Sequence, residues 1–343
     1  MTKKQEQHNL RRFSFLEDRL QECKVLLGKR LLETKRIFGR KLVAVDPHTH
    51  STFSDGRGTV KENLFVSEAC GLDFVFITDH DGIAQKRVVK NLPNASWGQE
   101  PGSLIHHICM LHNPKKLILK RNNLAVDFKY ASENSDLAFI PHPGGLFQAP
   151  ENIDERIKPL RALGESFSME VMNGLYQIFG SNRTCDEASI VILDQLLSAG
   201  HKINVLGASD AHDPFGIGTA WSGVLGAKCE ASSIIKAIKK GHCFASESSL
   251  LEFFCNDKPM GSTICCDRGE LLTFRCRVAD SFGLDSVRVV SNGKIIGHQK
   301  INDKNLYECE FSCKAPSTNT YYRLETTAKD DRRAFSTSIY IKN

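Results

Sequence analysis

The sequence predicts an α/β fold in which short buried strands alternate with helices along much of the chain. Seven segments are rich in β-branched and aromatic residues, helical patterns separate several of them, and most carry a histidine or a carboxylate at one end. They are Leu42–Val45, Phe74–Ile77, Ser96–Glu100, His107–Leu111, Ala138–Ile140, Ser168–Asn173 and Ile203–Ala208. This alternation favours a parallel sheet, and in (β/α) barrels the ends of such strands bring functional side chains together.

Residues 1–41 precede the first strand and carry the basic character of the chain. They hold 12 Lys and Arg against 5 Asp and Glu, whereas the remaining residues hold 33 against 35. Apolar residues recur there at intervals of three or four, which predicts an amphipathic helical arm: Phe13, Leu16, Leu20, Cys23, Leu27 and Leu31. We expect this arm either to pack on the rest of the chain or to pair with another chain.

The first strand runs into the sequence Asp-Pro-His-Thr-His, followed by Ser-Asp-Gly. Alternate residues of a strand point to the same side, so His48 and His50 can bind one metal while Asp55 reaches a neighbouring one. A lone His-x-His pair is more often two polar residues on a solvated strand. The metal interpretation therefore depends on further ligands elsewhere in the chain.

The later segments supply those ligands. Candidate metal-binding side chains stand at the second, third, fourth, fifth and seventh segments: His80, Glu100, His107, His142, Asp210 and His212. Between the first two strands, Thr59 and Glu62 form a capping-box pattern that predicts a helix ending near Cys70. The recurrence of histidines and carboxylates beside strand ends indicates a metal site much more strongly than any one of these residues does.

A different pattern begins after a predicted helix at residues 230–240. Short alternating segments follow, and Asn292-Gly293 is a strong hairpin turn. We expect a small antiparallel β-sandwich over residues 251–343, which places the α/β region at residues 42–250. Tyr307, Cys309, Phe311 and Cys313 alternate with polar residues and are expected on the buried face of one strand.

The motif series resembles the PHP (polymerase and histidinol phosphatase) superfamily of metal-dependent phosphoesterases. The matching motifs are His-Thr-His with Ser-Asp-Gly, Thr-Asp-His, Gly-Gln-Glu, the histidine before Ile-Cys-Met-Leu, Pro-His-Pro-Gly-Gly and Ser-Asp-Ala-His. The resemblance implies a distorted (β/α)7 barrel. A barrel followed by a β-sandwich, joined by Gly-His-Cys-Phe-Ala-Ser-Glu-Ser, is similar to the CehA/McbA branch of this superfamily.

The same resemblance implies a site for three metal ions, with a suitable residue at each of its nine ligand positions. One metal would take His48, His50, Glu100 and Asp210. Glu100 would bridge to a second metal on His107 and His142, and the third would take Asp55, His80 and His212. Of these ligands, Asp55, His80, Glu100 and His212 are the predicted catalytic residues.

Such a ligand set predicts a hydrolase with two to three divalent ions. Mixed histidine and carboxylate sites suit Mn²⁺, Zn²⁺ or Fe²⁺. The expected reaction is hydrolysis of a phosphate ester on a small molecule or nucleotide, with a metal-bridging hydroxide as nucleophile. The alternatives are a carbamate, ester or amide hydrolase with the same metals, and a module that binds metal without turnover.

Four further residues are candidates for substrate binding. Glu170 and Asn173 resemble a site-lining segment of the family, with a structural carboxylate as the alternative for Glu170. Arg57 and Arg183 could clamp a phosphate, although a solvated surface charge is the commoner role of an arginine.

Charge and composition restrict the partners. The slightly negative charge outside the arm offers no basic groove for a long polyanion, so nucleic acid beyond nucleotides or short oligonucleotides is not expected. A homo-oligomer would form through the arm or the sandwich. No apolar run of membrane-spanning length and no signal-peptide core is present, and the twelve cysteines contain no Cys-x-x-Cys pair. A cytoplasmic protein with reduced thiols is therefore expected.

Overall fold

A computed structural model describes residues 22–102, 106–115, 123–145, 149–175, 183–302 and 304–343. The seven predicted strands are present as β1 (Leu42–Thr49), β2 (Phe74–Ile77), β3 (Ala95–Gln99), β4 (Cys109–Leu111), β5 (Leu137–Ile140), β6 (Ser166–Asn173) and β7 (Lys202–Ala208). The described helices cover residues 22–38, Val60–Ala69, Lys86–Val89, Leu124–Glu133, Ile153–Leu160, Thr184–Ser198 and Ala231–Lys239. The protein is therefore a mixed α/β structure, and no helix among its described residues is both long and apolar enough to cross a membrane.

The strands β1 to β7 lie side by side in chain order, but not all of them are parallel. β4 runs antiparallel to both β3 and β5. Only nine residues separate β3 from β4, and a parallel crossover needs about a dozen or more. The predicted all-parallel arrangement is therefore wrong at this position.

The seven strands do not form a closed barrel in the described structure. β1 pairs with the antiparallel β8 (Trp221–Leu225) through its first four residues and with the parallel β2 from Val45 to Thr49. The end of β7 reaches β1 through one isolated bridge, between Thr49 and Ala211, and two backbone hydrogen bonds beside it. The sheet curls until its first and last strands meet at the end where the candidate ligands lie.

The C-terminal strands are divided between this same sheet and a second one. They are β9 (Cys243–Ser246), β10 (Leu250–Cys255), β11 (Lys258–Pro259), β12 (Thr263–Cys265), β13 (Leu271–Ala279), β14 (Leu284–Ser291), β15 (Lys294–Lys300), β16 (Leu306–Lys314), β17 (Thr320–Ala328), β18 (Arg333–Ser336) and β19 (Ile339–Lys342). β9 pairs with both β8 and β18, so backbone hydrogen bonds continue from the α/β region into the C-terminal strands. A second sheet has the order β11-β10-β13-β16, and the predicted hairpin at Asn292-Gly293 joins β14 to β15.

The described part of the arm is a helix that packs against both regions, but Cys23, one of the predicted apolar positions, is exposed. Leu31 and Phe38 are buried. Arg30 pairs with Asp280 and Asp330 near the sandwich strands, and the Lys24 ammonium donates to the Ile217 carbonyl oxygen at 2.7 Å. The predicted apolar positions Phe13, Leu16 and Leu20 lie outside the described residues.

Candidate metal centre

The candidate ligands meet at one edge of the sheet. His48 belongs to the end of β1, His80 and Glu100 follow β2 and β3, and His142 follows β5. His107 precedes β4 instead of following it, but β4 runs in the opposite direction, so its amino end lies at the same edge. The nine predicted ligands are therefore brought together from all but one of the seven strands.

Two of these residues have backbones in the left-handed region. The φ angles are +30° at His142 and +50° at Asp210. Such conformations cost about 1–3 kcal/mol for non-glycine residues and persist mainly where the surrounding structure enforces them, often at functional sites.

The first group of side chains has the spacing of a four-ligand metal site. It contains His48, His50, Glu100 and Asp210, all at most 2% exposed at the side chain. The Nε2 atoms of His48 and His50 are 3.1 Å apart, and each lies 3.1–3.3 Å from Glu100 Oε2 and Asp210 Oδ1. Ligand bonds of 2.0–2.2 Å to a tetrahedral ion place the ligands about 3.3 Å apart. The four atoms therefore fit around one small divalent ion.

Two atoms of this group have no hydrogen-bond partner although they are buried. They are His50 Nδ1 and Asp210 Oδ1. Unpaired buried polar atoms are rare because each costs about 1–3 kcal/mol. Asp210 Oδ1 has the imidazole nitrogens of His48 and His50 beside it but no hydrogen bond to them, and a cation there would supply its partner, so the residues fit a bound metal.

Glu100 connects the first group to a second one. Its Oε2 faces the first group and also lies 3.2 Å from His80 Nδ1, which was predicted for the third metal, and its Oε1 lies 3.0 Å from His107 Nδ1 and 3.1 Å from His142 Nε2. One carboxylate thus presents its two oxygens to two sets of imidazoles, which is the arrangement of a bridging ligand.

The third group is more open. The carboxylate of Asp55 lies 3.3 Å from His212 Nε2 and 3.7 Å from His80 Nε2, and the two imidazoles flank the ring of His50. The side chain of Asp55 is 55% exposed, and those of His80 and His212 are 26% and 29% exposed. A ligand from solution can therefore reach the centre from this side.

The charges of the cluster also suit a bound divalent cation. Burial alone would lower the pKa of the His50 imidazole, but the carboxylates of Asp210 and Glu100 raise it to about 9. Burial opposes the ionisation of Glu100 and Asp210, yet the neighbouring imidazoles, His48 foremost, hold the pKa values of both carboxyl groups below their usual range. Without metal, the carboxylates are thus balanced by imidazolium protons that a divalent ion would replace.

Glu170 and Asn173 lie behind the candidate ligands, and both are buried. Glu170 Oε1 is 2.8 Å from His48 Nδ1, while its Oε2 accepts hydrogen bonds from the His142 backbone N–H at 2.8 Å and from Asn173 Nδ2 at 3.1 Å. Asn173 Nδ2 also lies 3.2 Å from Asp210 Oδ2. These contacts orient ligands, and the substrate-binding role of the two residues stays a prediction.

The two arginines lie apart from the cluster contacts. Arg57 is exposed, and its backbone N–H donates to the His212 carbonyl oxygen. Arg183 precedes the helix Thr184–Ser198, and its guanidinium donates to the Asp331 carbonyl oxygen at 2.6 Å and pairs with Glu247. Phosphate binding by either residue stays a prediction.

Asp79 is a supporting residue that the sequence analysis missed. Its buried carboxylate accepts hydrogen bonds from the Ser51 backbone N–H and hydroxyl and from the Ser54 hydroxyl, each at 2.8 Å. It thereby holds the loop between His50 and Asp55. Its position directly before His80 was the available signal.

Comparison with known proteins found solved structures only. No family model and no curated protein matches the chain. A two-domain protein from Bacteroides vulgatus, containing a predicted PHP-like metal-dependent phosphoesterase, is 15% identical, with 88% of this chain and 96% of that chain covered and a TM-score of 0.47.

Two further structures match about half of the chain. A protein described as a metal-dependent phosphoesterase from Bifidobacterium adolescentis is 15% identical, covering 49% of this chain and 87% of its own, with a TM-score of 0.32. An amidohydrolase from Chromobacterium violaceum is 14% identical, covering 50% and 88%, with a TM-score of 0.36. The CehA/McbA branch stays a prediction. Because all three TM-scores are below 0.5, the functional assignment rests on the geometry of the cluster.

Proposed function

We propose that this protein is a metal-dependent hydrolase of the PHP type that cleaves phosphate esters of small molecules or nucleotides. The observation that carries this proposal is Glu100, which presents one oxygen to a four-atom group with metal-like spacing and the other to His107 and His142. The order β1 to β7 and the Thr49–Ala211 bridge support a distorted seven-stranded barrel as its scaffold.

Divalent ions held by these residues would supply an ionised water near neutral pH and stabilise the attacking and leaving oxygens. The chain's own residues set the charge of the site. Two divalent ions against the carboxylates of Glu100 and Asp210 leave two net positive charges, or one when Glu170 is counted. A positive centre attracts a phosphate ester, and the metal ions would then bind the phosphate without Arg57 or Arg183.

The burial of the groups determines how a substrate approaches. The side chains of His48, His50 and Glu100 are buried, whereas those of Asp55 and His212 are partly exposed to solvent. We infer that the ester enters past the third group, with its phosphate toward Glu100. This direction fits the predicted catalytic role of Asp55, His80 and His212, which are the groups a substrate would meet first.

The test is a substrate and metal panel on the full chain. Protein stripped of metal and reconstituted with Mn²⁺, Zn²⁺ or Fe²⁺ is assayed on p-nitrophenyl phosphate, bis-p-nitrophenyl phosphate and p-nitrophenyl acetate. We expect phosphate ester hydrolysis that requires metal and is lost in Glu100→Gln, while the exposed control Glu165→Gln keeps it.

Other outcomes would overturn the proposal in different ways. Hydrolysis of the acetate alone would move the assignment to carboxylic or carbamic esters. A protein that holds its metals but cleaves none of the three esters would point to a binding module. Equal activity of Glu100→Gln and wild type, with both folded, would remove the cluster from the mechanism.

A further inference from the structure

Two cysteines lie directly opposite each other in the second sheet, far along the chain from the metal centre. Cys276 on β13 and Cys309 on β16 are register partners in an antiparallel pair. Their Sγ atoms are 3.0 Å apart. Opposed residues in antiparallel strands have Cα separations of about 4.5 or 5.5 Å, and both values lie within the range of about 4.4–6.8 Å that a disulfide requires.

We propose that Cys276 and Cys309 form a reversible disulfide when the protein meets hydrogen peroxide. The backbone already satisfies the requirement of the bond, so only the two sulfur atoms need to move closer, by about 1 Å, to reach the S–S length of about 2.05 Å. The proposal does not rest on the proposed hydrolase, because Cys276 and Cys309 are not among the candidate metal ligands.

The two thiols differ in a way that assigns them separate roles. Cys276 is 5% exposed, whereas Cys309 is partly exposed. Hydrogen bonding from the Cys276 thiol outweighs burial and, together with the Tyr307 hydroxyl, lowers the pKa of Cys309 to about 6. The same contact and burial raise the pKa of Cys276. Because Cys309 is the more exposed of the two, it is the thiol that an oxidant meets first, and Cys276 is the thiol that resolves its oxidised form.

A small oxidant can reach the pair. A cavity of about 290 Å³ between the sheets is lined by both cysteines together with Tyr307 and Phe311, which share their face of β16 with Cys309. Hydrogen peroxide is only about the size of two water molecules, and even one water needs no more than about 10–15 Å³ of such space.

The reaction balances with peroxide as the only oxidant. The Cys309 thiolate attacks one peroxide oxygen and breaks the O–O bond, which gives the sulfenic acid and releases hydroxide. Cys276 sulfur then attacks Cys309 sulfur, the S–O bond breaks, and the thiol proton leaves with the hydroxyl group as water. Each peroxide thus takes two electrons from the two thiols, and a dithiol such as dithiothreitol returns them.

The Cys276–Cys309 disulfide would stabilise β16, a strand at the edge of its sheet. β16 stands at the edge of the four-stranded sheet and, among the described strands, pairs only with β13. The disulfide would close a loop of about 33 residues between the two cysteines. Loop closure of this size raises the unfolding temperature by about 5 °C.

The experiment uses the full chain, reduced and freed of reductant. One portion is treated with a small excess of hydrogen peroxide, remaining thiols are blocked with N-ethylmaleimide, and peptides are mapped without reduction by mass spectrometry. We expect a linked pair of peptides containing Cys276 and Cys309, two fewer maleimide additions per chain, and full reversal by dithiothreitol. Cys309→Ala should abolish the link, whereas Cys313→Ala, which lies on the same strand near Tyr322, should keep it.

The unfolding temperature of the wild type gives a second test that needs no variant. Oxidised protein should unfold about 5 °C above reduced protein. Recovery of Cys276 and Cys309 as maleimide adducts after peroxide treatment would overturn the proposal. Conversion of Cys309 to sulfinic acid, or a bond from Cys309 to a different cysteine, would overturn it equally.

Discussion

Replacing Glu170 by glutamine tests how the buried carboxylate controls the metal centre. The change preserves size and removes one negative charge. In the wild type, Glu170 Oε1 accepts the proton of His48 Nδ1, which leaves His48 Nε2 free to face Glu100 and Asp210. Glu170 Oε2 meanwhile accepts from two donors, the His142 backbone N–H and the Asn173 amide.

Glutamine cannot satisfy both sides. If its oxygen takes the two donors, its NH₂ group faces His48 Nδ1 and forces the proton to Nε2, where a metal needs the lone pair. If its oxygen faces His48 instead, its NH₂ group meets two donors, and unsatisfied buried donors cost about 1–3 kcal/mol. Loss of a residue that orients a metal ligand lowers affinity about 10- to 100-fold, which corresponds to about 1.4–2.7 kcal/mol.

The assay is competition of the full chain with a chromophoric chelator for Zn²⁺ or Mn²⁺. We expect Glu170→Gln to bind its tightest metal 10- to 100-fold more weakly, with an unfolding temperature of the metal-free protein close to wild type. Glu165→Gln, an exposed residue just before the same strand, is the matched control and should bind as wild type does. Metal affinity of Glu170→Gln within twofold of wild type, with a raised KM, would refute this reasoning and favour direct contact with substrate.

Three further results are expected. Asp210→Asn should lose at least one bound metal and about 100-fold or more in turnover while remaining folded, because Asp210 faces both imidazoles of the first group; metal analysis and circular dichroism check this, and a fully active, metal-replete variant would remove Asp210 from the site. Metal affinity should rise with pH up to about 9, since the His50 pKa in the metal-free protein is raised to about 9 and the imidazolium must lose its proton before its nitrogen binds metal; calorimetry in buffers of different ionisation enthalpy should show proton release at pH 7, and its absence would contradict the charge balance described above. Deletion of residues 1–41 should lower the unfolding temperature, because it removes the buried Leu31 and Phe38 and leaves Asp280 without Arg30; an unchanged unfolding temperature would show that the arm is dispensable for stability.

Much of the local structure was predictable from the sequence because it depends on neighbours in the chain. The capping box at Thr59 and Glu62 forms as predicted and starts the helix Val60–Ala69. The Asn292-Gly293 turn forms with positive φ at both residues, and the alternating residues of β16 point inward as expected. Each of these patterns is set within a few residues.

Strand direction and long-range contacts were not predictable in the same way. Apolar periodicity is the same for either direction, so the residues of β4 themselves do not indicate that it runs antiparallel, and the short connection after β3 was the available signal. The contact of Glu170 with His48 spans 122 residues and that of Arg30 with Asp280 spans 250. Only the folded chain could show that Glu170 orients a ligand and that the arm packs against the sandwich strands.

The candidate site lies between these two cases. The pairing of His48 with His50 follows from strand geometry, since alternate residues share a face. The bridging position of Glu100 came from the resemblance alone, and the structure now places its two oxygens toward two separate groups. The spacing of ligands in the sequence contained no information on that partition, because it arises from the order of the strands.

Metal content of the purified full chain tests the central claim most directly. The protein is reconstituted in turn with Mn²⁺, Zn²⁺ and Fe²⁺, freed of unbound ions, and measured by elemental analysis beside Glu100→Gln. We predict two to three ions per wild-type chain and a loss of at least one ion in the variant, because Glu100 contributes to both buried groups. Less than one ion per wild-type chain with every metal, or the same content in Glu100→Gln, would contradict the assignment of this cluster as a metal centre.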